Sequence, residues 1–429
     1  MEMINYPHLN ETLYVEQLPN GLIVRILPKP GFQKTYAVFS TRYGSVDNHF
    51  QLSDGTEKQV PDGVAHFLEH KMFEEPEGDV FSRFADQGAS ANAFTSFDRT
   101  SYLFSATDHI EENVVTLLNF VQNPYFTDEN VEKEKGIIGQ EINMYKDHPD
   151  WRVYYGLIES MYSQHPIHID IAGTVESIAK IDKEMLYACH ETFYHPGNMT
   201  FFVVGGVDPE KMITLIRDNQ QKKTSFSVYK EVSRLYPDEP YEVQEKQRIT
   251  QLPVSLPKCL FGFKEKVSYL DPEAVLYREL TTKLLFDLLF SPSSEVYQTL
   301  YDENLISDQF GYEYQANTQY AFSVIGGETK DPDLLLARIR ELIEPLMDKG
   351  FDQTSFDRCK KKRMGNYLRV LNSPEAIANE YTKYSFKNID FFRFLGVYEG
   401  LTLTDINQRM KDHIQWEQLA ISIVRNGTA

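Results

Sequence analysis

His66-Phe-Leu-Glu69-His70 places two imidazoles and a carboxylate within five residues. The surrounding stretch from Val64 to Phe73 interleaves this polar trio with Val64, Phe67, Leu68 and Met72, which predicts a short helix with one buried face. Asp62-Gly63 supplies its start. Positions 66, 69 and 70 are related by i, i+3 and i+4, so the three side chains leave one helical face together. Two imidazoles one turn apart can hold a single small cation. A carboxylate beside them can take a proton from water that the cation acidifies. Five-residue patterns recur by chance, so the remainder of such a site has to be found elsewhere in the chain.

A catalytic zinc site needs a third protein ligand. The best source is Glu132-Lys-Glu134-Lys-Gly-Ile-Ile-Gly-Gln-Glu141, a second predicted helix opened by the capping run Thr127-Asp-Glu-Asn130. Glu134 and Glu141 are two turns apart and face the same way. One can bind metal while the other holds a ligand histidine from behind. Glu132 and Lys133 read as an exposed, ion-paired surface.

These elements belong to a long chain. At 429 residues it exceeds one typical core, and two domains are expected. Apolar content of 41% and charged content of 25% are those of a globular protein. No apolar run approaches the ~20 residues of a membrane span. The start, Met1-Glu-Met-Ile-Asn-Tyr-Pro7, lacks a signal peptide's basic and apolar regions. Cys189, Cys259 and Cys359 are scattered, which argues against a disulfide framework and for a cytoplasmic location. A net charge of −20 argues against nucleic-acid binding.

Strand signals at Gly21–Leu27 and Lys34–Ser40, mixed with helices, assign residues 1–225 to a first domain. Residues 226–255 are polar and read as a linker. A new strand at Lys258–Lys264 opens a second domain, 256–429. The second half repeats the first. Phe126–Glu134 resembles Phe351–Cys359, which places Cys359 opposite Glu134 and Asn366 opposite Glu141. His66–Phe73 can be laid on Lys283–Phe290. Every candidate site residue is replaced, so the second half is expected to keep the fold without the site. Gly205-Gly206 and Gly326-Gly327 read as strand ends, not phosphate loops. His165, His168, His190 and His195 read as structural or surface residues.

Taken in order, the motifs resemble the insulinase/pitrilysin-type zinc peptidases, the inverzincin family that includes mitochondrial processing peptidase. The resemblance rests on Gly44-Ser45, His66–His70, Asn92-Ala93-Phe94-Thr95 with Thr100-Ser-Tyr102, the Glu134/Glu141 pair, and Tyr194-His-Pro-Gly-Asn-Met199 running into Val203–Val207. It spans at least residues 12–210. It implies an α+β protein of two homologous mixed α/β domains, LuxS/mitochondrial-processing-peptidase-like, forming half of a clamshell. It implies Zn2+ bound by His66, His70 and Glu141, with Glu69 as general base and Glu134 orienting a ligand. Asn92, Ala93, Phe94 and Thr95 would be an edge strand that binds extended peptide by β-augmentation. The implied function is a metalloendopeptidase acting on peptides or unfolded segments. A non-catalytic scaffold subunit is the alternative.

One departure bears on partners. Where the family has an Arg and a Tyr in its second domain, this chain has Tyr301 and Ser307. The resemblance therefore implies a heterodimer with a zinc-less homologue that carries the Arg/Tyr pair, or alternatively a homodimer. Arg278, Arg338 and Arg363 are the other candidates for the displaced arginine.

Overall fold

The computed structural model describes residues 1–76, 78–223, 229–267 and 271–427. Two compact units are interleaved along the chain. The first comprises Met1–Ile142, Ile169–Tyr236 and Val370–Phe386; the second comprises Asn143–His168, Pro237–Arg369 and Lys387–Ala429.

The first unit is built on a seven-stranded sheet. Its order is Glu2–Tyr6, Glu11–Gln17, Ile23–Pro28, Met199–Gly205, Thr35–Thr41, Thr100–Ala106 and Ser90–Thr95. Only the pair Met199–Gly205 with Ile23–Pro28 is parallel. Thr35–Thr41 and Met199–Gly205 are buried at every residue, as befits central strands covered on both faces. Ser90–Thr95 lies at the edge, paired only with Thr100–Ala106.

The second unit repeats this plan with five strands: Gln247–Gln251, Leu419–Arg425, Lys258–Phe263, Ala321–Glu328 and Gly311–Ala316. Here too a single pair is parallel, Gln247–Gln251 with Leu419–Arg425, matching Ile23–Pro28 with Met199–Gly205 when the two outer strands of the first sheet are set aside. The shared order and the shared position of the parallel pair make the duplication a property of the fold. The expected α+β class of two homologous domains is what the two units display.

The units depart from the contiguous segments 1–225 and 256–429 in one respect. Helix Pro149–Met161, from the first half of the sequence, packs on the second unit's sheet, where Gly156 lies so close to Ser422 that a Cβ would stand 2.6 Å from its Oγ. Helix Pro374–Ser385 packs on the first unit's sheet, with Tyr381 against Phe202 at 5.1 Å and Asn379 Nδ2 donating to Tyr36 Oη at 3.0 Å. Each sheet is thus covered by a helix from the opposite half of the chain. Of the segment 226–255, read as linker, the described residues 229–255 are not free of the sheets either. Ser233–Arg234 pairs with Phe50–Gln51 in the first unit, and Gln247–Gln251 is the edge strand of the second unit's sheet. Its alternating polar residues serve an exposed edge, which is why composition alone reads it as linker.

Among the described residues no helix is long and apolar enough to cross a membrane.

Candidate active site

The motif helix runs Val64–Lys71. Gly63 caps it in the left-handed region at φ 89°, and a Cβ there would meet the Ala172 carbonyl oxygen at 2.5 Å, so only glycine fits this start. Val64, Phe67, Leu68 and Met72 are buried at 3% exposure or less and anchor the helix to the core. The second helix is Asp128–Lys146. Its entry is fixed by Thr127 and Asn130, each side chain accepting from the other's backbone N–H. Lys135 pairs with exposed Glu132 on its outer face.

The two helices bring His66, His70 and Glu141 together, with one potential ligand atom from each within 4.8 Å of the others. His66 Nε2 lies 3.8 Å from Glu141 Oε1, and His70 Nε2 lies 3.6 Å from Glu141 Oε2. The imidazole rings stand 4.5 Å apart at 62°. Glu134 does not join this group. Its Oε1 sits 3.1 Å from His70 Nδ1, on the far side of that ring. The two-turn spacing of Glu134 and Glu141 therefore puts one carboxylate on each nitrogen of His70.

Electrostatics divide the two histidines. Burial, then the neighbouring His70, lowers His66 to about 3, so its ring is neutral. Burial also opposes charge on His70, but Glu134, Glu69 and Glu141 outweigh it and raise that histidine. For Glu134 burial works upward, and the His70 hydrogen bond overrides it and lowers the carboxyl. Glu69 is raised, chiefly by burial and despite a hydrogen bond from Thr95 Oγ1 to its Oε2 at 2.7 Å.

The donor set suits a divalent cation. Among the described residues neither nitrogen of the His66 ring makes a hydrogen bond, and Nδ1 is sealed from solvent. The neutral ring leaves Nε2 free to donate its lone pair, and a cation between Nε2 and Glu141 would take it. Ligands at the ~2.0–2.2 Å of zinc sites lie about 3.4 Å apart in a tetrahedron, close to the 3.6 and 3.8 Å found here. Two nitrogens and one carboxylate oxygen leave a fourth position open.

Glu69, His70 and Glu134 open on a cavity of ≈ 750 Å³, which Asn92 and Ala93 of the edge strand also line. Two of the four strand residues assigned to peptide are already engaged. Asn92 Oδ1 accepts from the Ala93 amide at 2.9 Å, and Thr95 is committed to Glu69. Phe94 lies under the Arg99 guanidinium at 5.4 Å. The Thr95–Glu69 bond was not legible in the sequence, because it joins a strand to a helix 26 residues away. Tyr301 and Ser307 belong to the second unit, where Tyr301 is 48% exposed and stacks on Tyr297. Of the other histidines, His190 Nε2 contacts the Val121 carbonyl at 3.0 Å and His195 Nδ1 accepts from Gly197; both are buried structural groups.

This arrangement has relatives. Residues 55–175 match the family model described as Insulinase (Peptidase family M16), and residues 180–363 match the Peptidase M16 inactive domain. The chain is 48% identical over 421 residues to the uncharacterized zinc protease YmfH of Bacillus subtilis (strain 168), covering 97% of both chains. It superposes on an M16-like peptidase from Alicyclobacillus acidocaldarius with a TM-score of 0.94 at 41% identity, covering 99% of this chain and 100% of that one. It also shares a fold with the periplasmic protease PqqL of Escherichia coli, with a TM-score of 0.74 at 17% identity, covering 99% of this chain and 48% of that one. On this similarity, spread across both units, the chain belongs to the insulinase family of peptidases, M16.

Proposed function

We propose that this chain is a zinc-dependent endopeptidase that hydrolyses extended peptides or unfolded segments, and that it is the zinc-bearing subunit of a heterodimer. One observation carries the reading: His66, His70 and Glu141 converge, and the buried Glu69 carboxylate opens on the same cavity as His70. The name borne by YmfH supports zinc as the metal. His66, His70 and Glu141 would hold it, and when bound it supplies a Lewis acid that acidifies water and polarises a carbonyl.

The remaining work falls to the chain's own side chains. Glu69, raised by burial, accepts a proton from the attacking water at its carboxylate and returns it to the leaving amine. Thr95 Oγ1 holds Oε2 of that carboxylate and fixes which oxygen is available. Glu134 accepts from His70 Nδ1–H and thereby presents Nε2 to the metal side. The open edge of Ser90–Thr95 takes substrate as an added strand, with the Asn92 side chain releasing the Ala93 amide as it docks. Three buried, unpaired cysteines suit a reducing cytoplasm.

Glu69→Gln tests the assignment. It keeps size and hydrogen bonding but cannot take the proton. Zinc content should stay at about one per chain while turnover falls ~10²–10⁴-fold. Equal turnover in variant and wild type removes Glu69 from the mechanism. The second reading, a non-catalytic subunit, is favoured by Tyr301 and Ser307 standing where the family has Arg and Tyr. Peptide hydrolysis by this chain alone, and with a zinc-less homologue carrying that pair, separates the two. Activity restored by the partner supports the shared site, and none in any mixture supports the scaffold.

A further inference from the structure

Lys71 is the last residue of the motif helix, and its side chain is only 1% exposed. An ammonium so placed is costly unless paired. Its partners are two carboxylates on different elements. Glu74, on the short hairpin of Glu74–Glu75 with Gly78–Asp79, pairs with Nζ from the accessible side. Glu134 Oε2 lies 3.7 Å from Nζ on the inner side. Glu134 therefore has a partner at each oxygen, a hydrogen bond with His70 at Oε1 and a longer ion pair with Lys71 at Oε2. Adjacent residues on a helix point about 100° apart, so His70 and Lys71 reach one carboxylate from two directions. A carboxylate bonded through one oxygen can swing about its own stem. One that also faces a cation at its second oxygen is restrained, and it restrains the imidazole it holds.

We infer that Lys71 is a positioning residue for the metal site, acting through Glu134 on His70. The inference rests on the zinc reading above. It adds a third layer behind the ligand, in the chain Glu74–Lys71–Glu134–His70. Nothing in the His-x-x-Glu-His pattern calls for a lysine at the next position, and packing alone would be served by an apolar residue of the same length.

The test is zinc affinity, measured by competition with a chromophoric chelator, in Lys71→Met, Glu134→Gln and the double variant. Lys71→Met keeps the length of the side chain without the charge. Thermal unfolding of the metal-free proteins monitors the fold separately. We expect ~10- to 100-fold weaker zinc binding in Lys71→Met, the usual cost of losing a group behind a ligand. The cobalt-substituted absorption spectrum should change with it. The double variant should bind no more weakly than Glu134→Gln alone, because the lysine acts only through that glutamate. Binding within ~3-fold of wild type in Lys71→Met, or losses that multiply in the double variant, overturns the inference. A purely structural role would lower the metal-free unfolding temperature and leave affinity and spectrum unmoved, which overturns it as well. Should Lys71→Met not fold, Lys71→Gln is read by the same criteria. Failure of the wild-type chain to bind zinc would instead refute the underlying reading.

Discussion

The same pair of helices ends in opposite chemistry in the two units. In the first, the motif helix and Asp128–Lys146 bring His66, His70 and Glu141 together, near a cavity of ≈ 750 Å³ that His70 lines. In the second, the corresponding stretch of Pro272–Phe290 and helix Gln353–Val370 frame an ion cluster beside ≈ 120 Å³. Asp287, in the place of His70, is 2% exposed and takes Arg363 at 2.6 Å, Lys362 at 3.3 Å and the Tyr312 hydroxyl at 2.5 Å. Cys359, in the place of Glu134, is a buried thiol that burial pushes up, away from the thiolate a metal would need. The lesson is that this fold does not require a metal at that position. It requires that the charges meeting there be balanced. The second unit balances them with its own cations, which would repel a metal ion.

The comparison breaks most sharply at the histidines. His66→Ala/His70→Ala should take zinc content from about one per chain to near zero, read by atomic absorption, because no second group of metal ligands occurs among the described residues. Full occupancy in that variant would mean the metal binds elsewhere. The converse is Asp287→Ala. It leaves Arg363 and Lys362 without their counter-charge, and both are partly open to water, so the cost should be about 2 kcal/mol rather than the 3–5 of a fully buried pair. Urea unfolding should show this loss while zinc content stays unchanged. A fall in zinc would show that the units are not chemically independent.

A smaller effect concerns protons. Burial lowers His190 to about 4 in the first unit's helix Lys183–Phe193, against the usual 6.5. The unfolded chain binds a proton below pH 6.5 and the folded one does not until about pH 4. Stability is therefore lost as pH falls through that window, by about 2 kcal/mol between pH 6.5 and 5. His190→Gln should flatten this acid limb. An unchanged pH profile of unfolding would mean that other groups set it.

Much of this contrast is readable from residue order. His66, Glu69 and His70 share one helical face by spacing alone, and Glu134 and Glu141 share another, so both halves of the site are local patterns. The replacement of each in the second half is equally visible once Phe126–Glu134 is laid on Phe351–Cys359. What spacing cannot carry is which distant partner each side chain meets. The Thr95 hydroxyl on Glu69, the Lys71 ammonium behind Glu134 and the guanidinium of Arg363 on Asp287 all join separate elements. The pairing of Gln247–Gln251 beside Leu419–Arg425 spans some 170 residues, and its polar composition hid a strand in what reads as linker.

The exchange of Pro149–Met161 and Pro374–Ser385 bears on how the protein is made. During synthesis the strands of the first sheet are complete once residue 205 has left the ribosome, yet the helix that covers Phe202 and Tyr36 is still about 170 residues from being translated. At ~5–20 residues per second that face stays bare for roughly ten to thirty seconds. Helix Pro149–Met161 waits longer still for Leu419–Arg425, the strand against which it packs most extensively. Neither unit can be finished before the other is nearly complete, so cutting the gene at the middle yields two fragments that each lack a wall and carry a spare one.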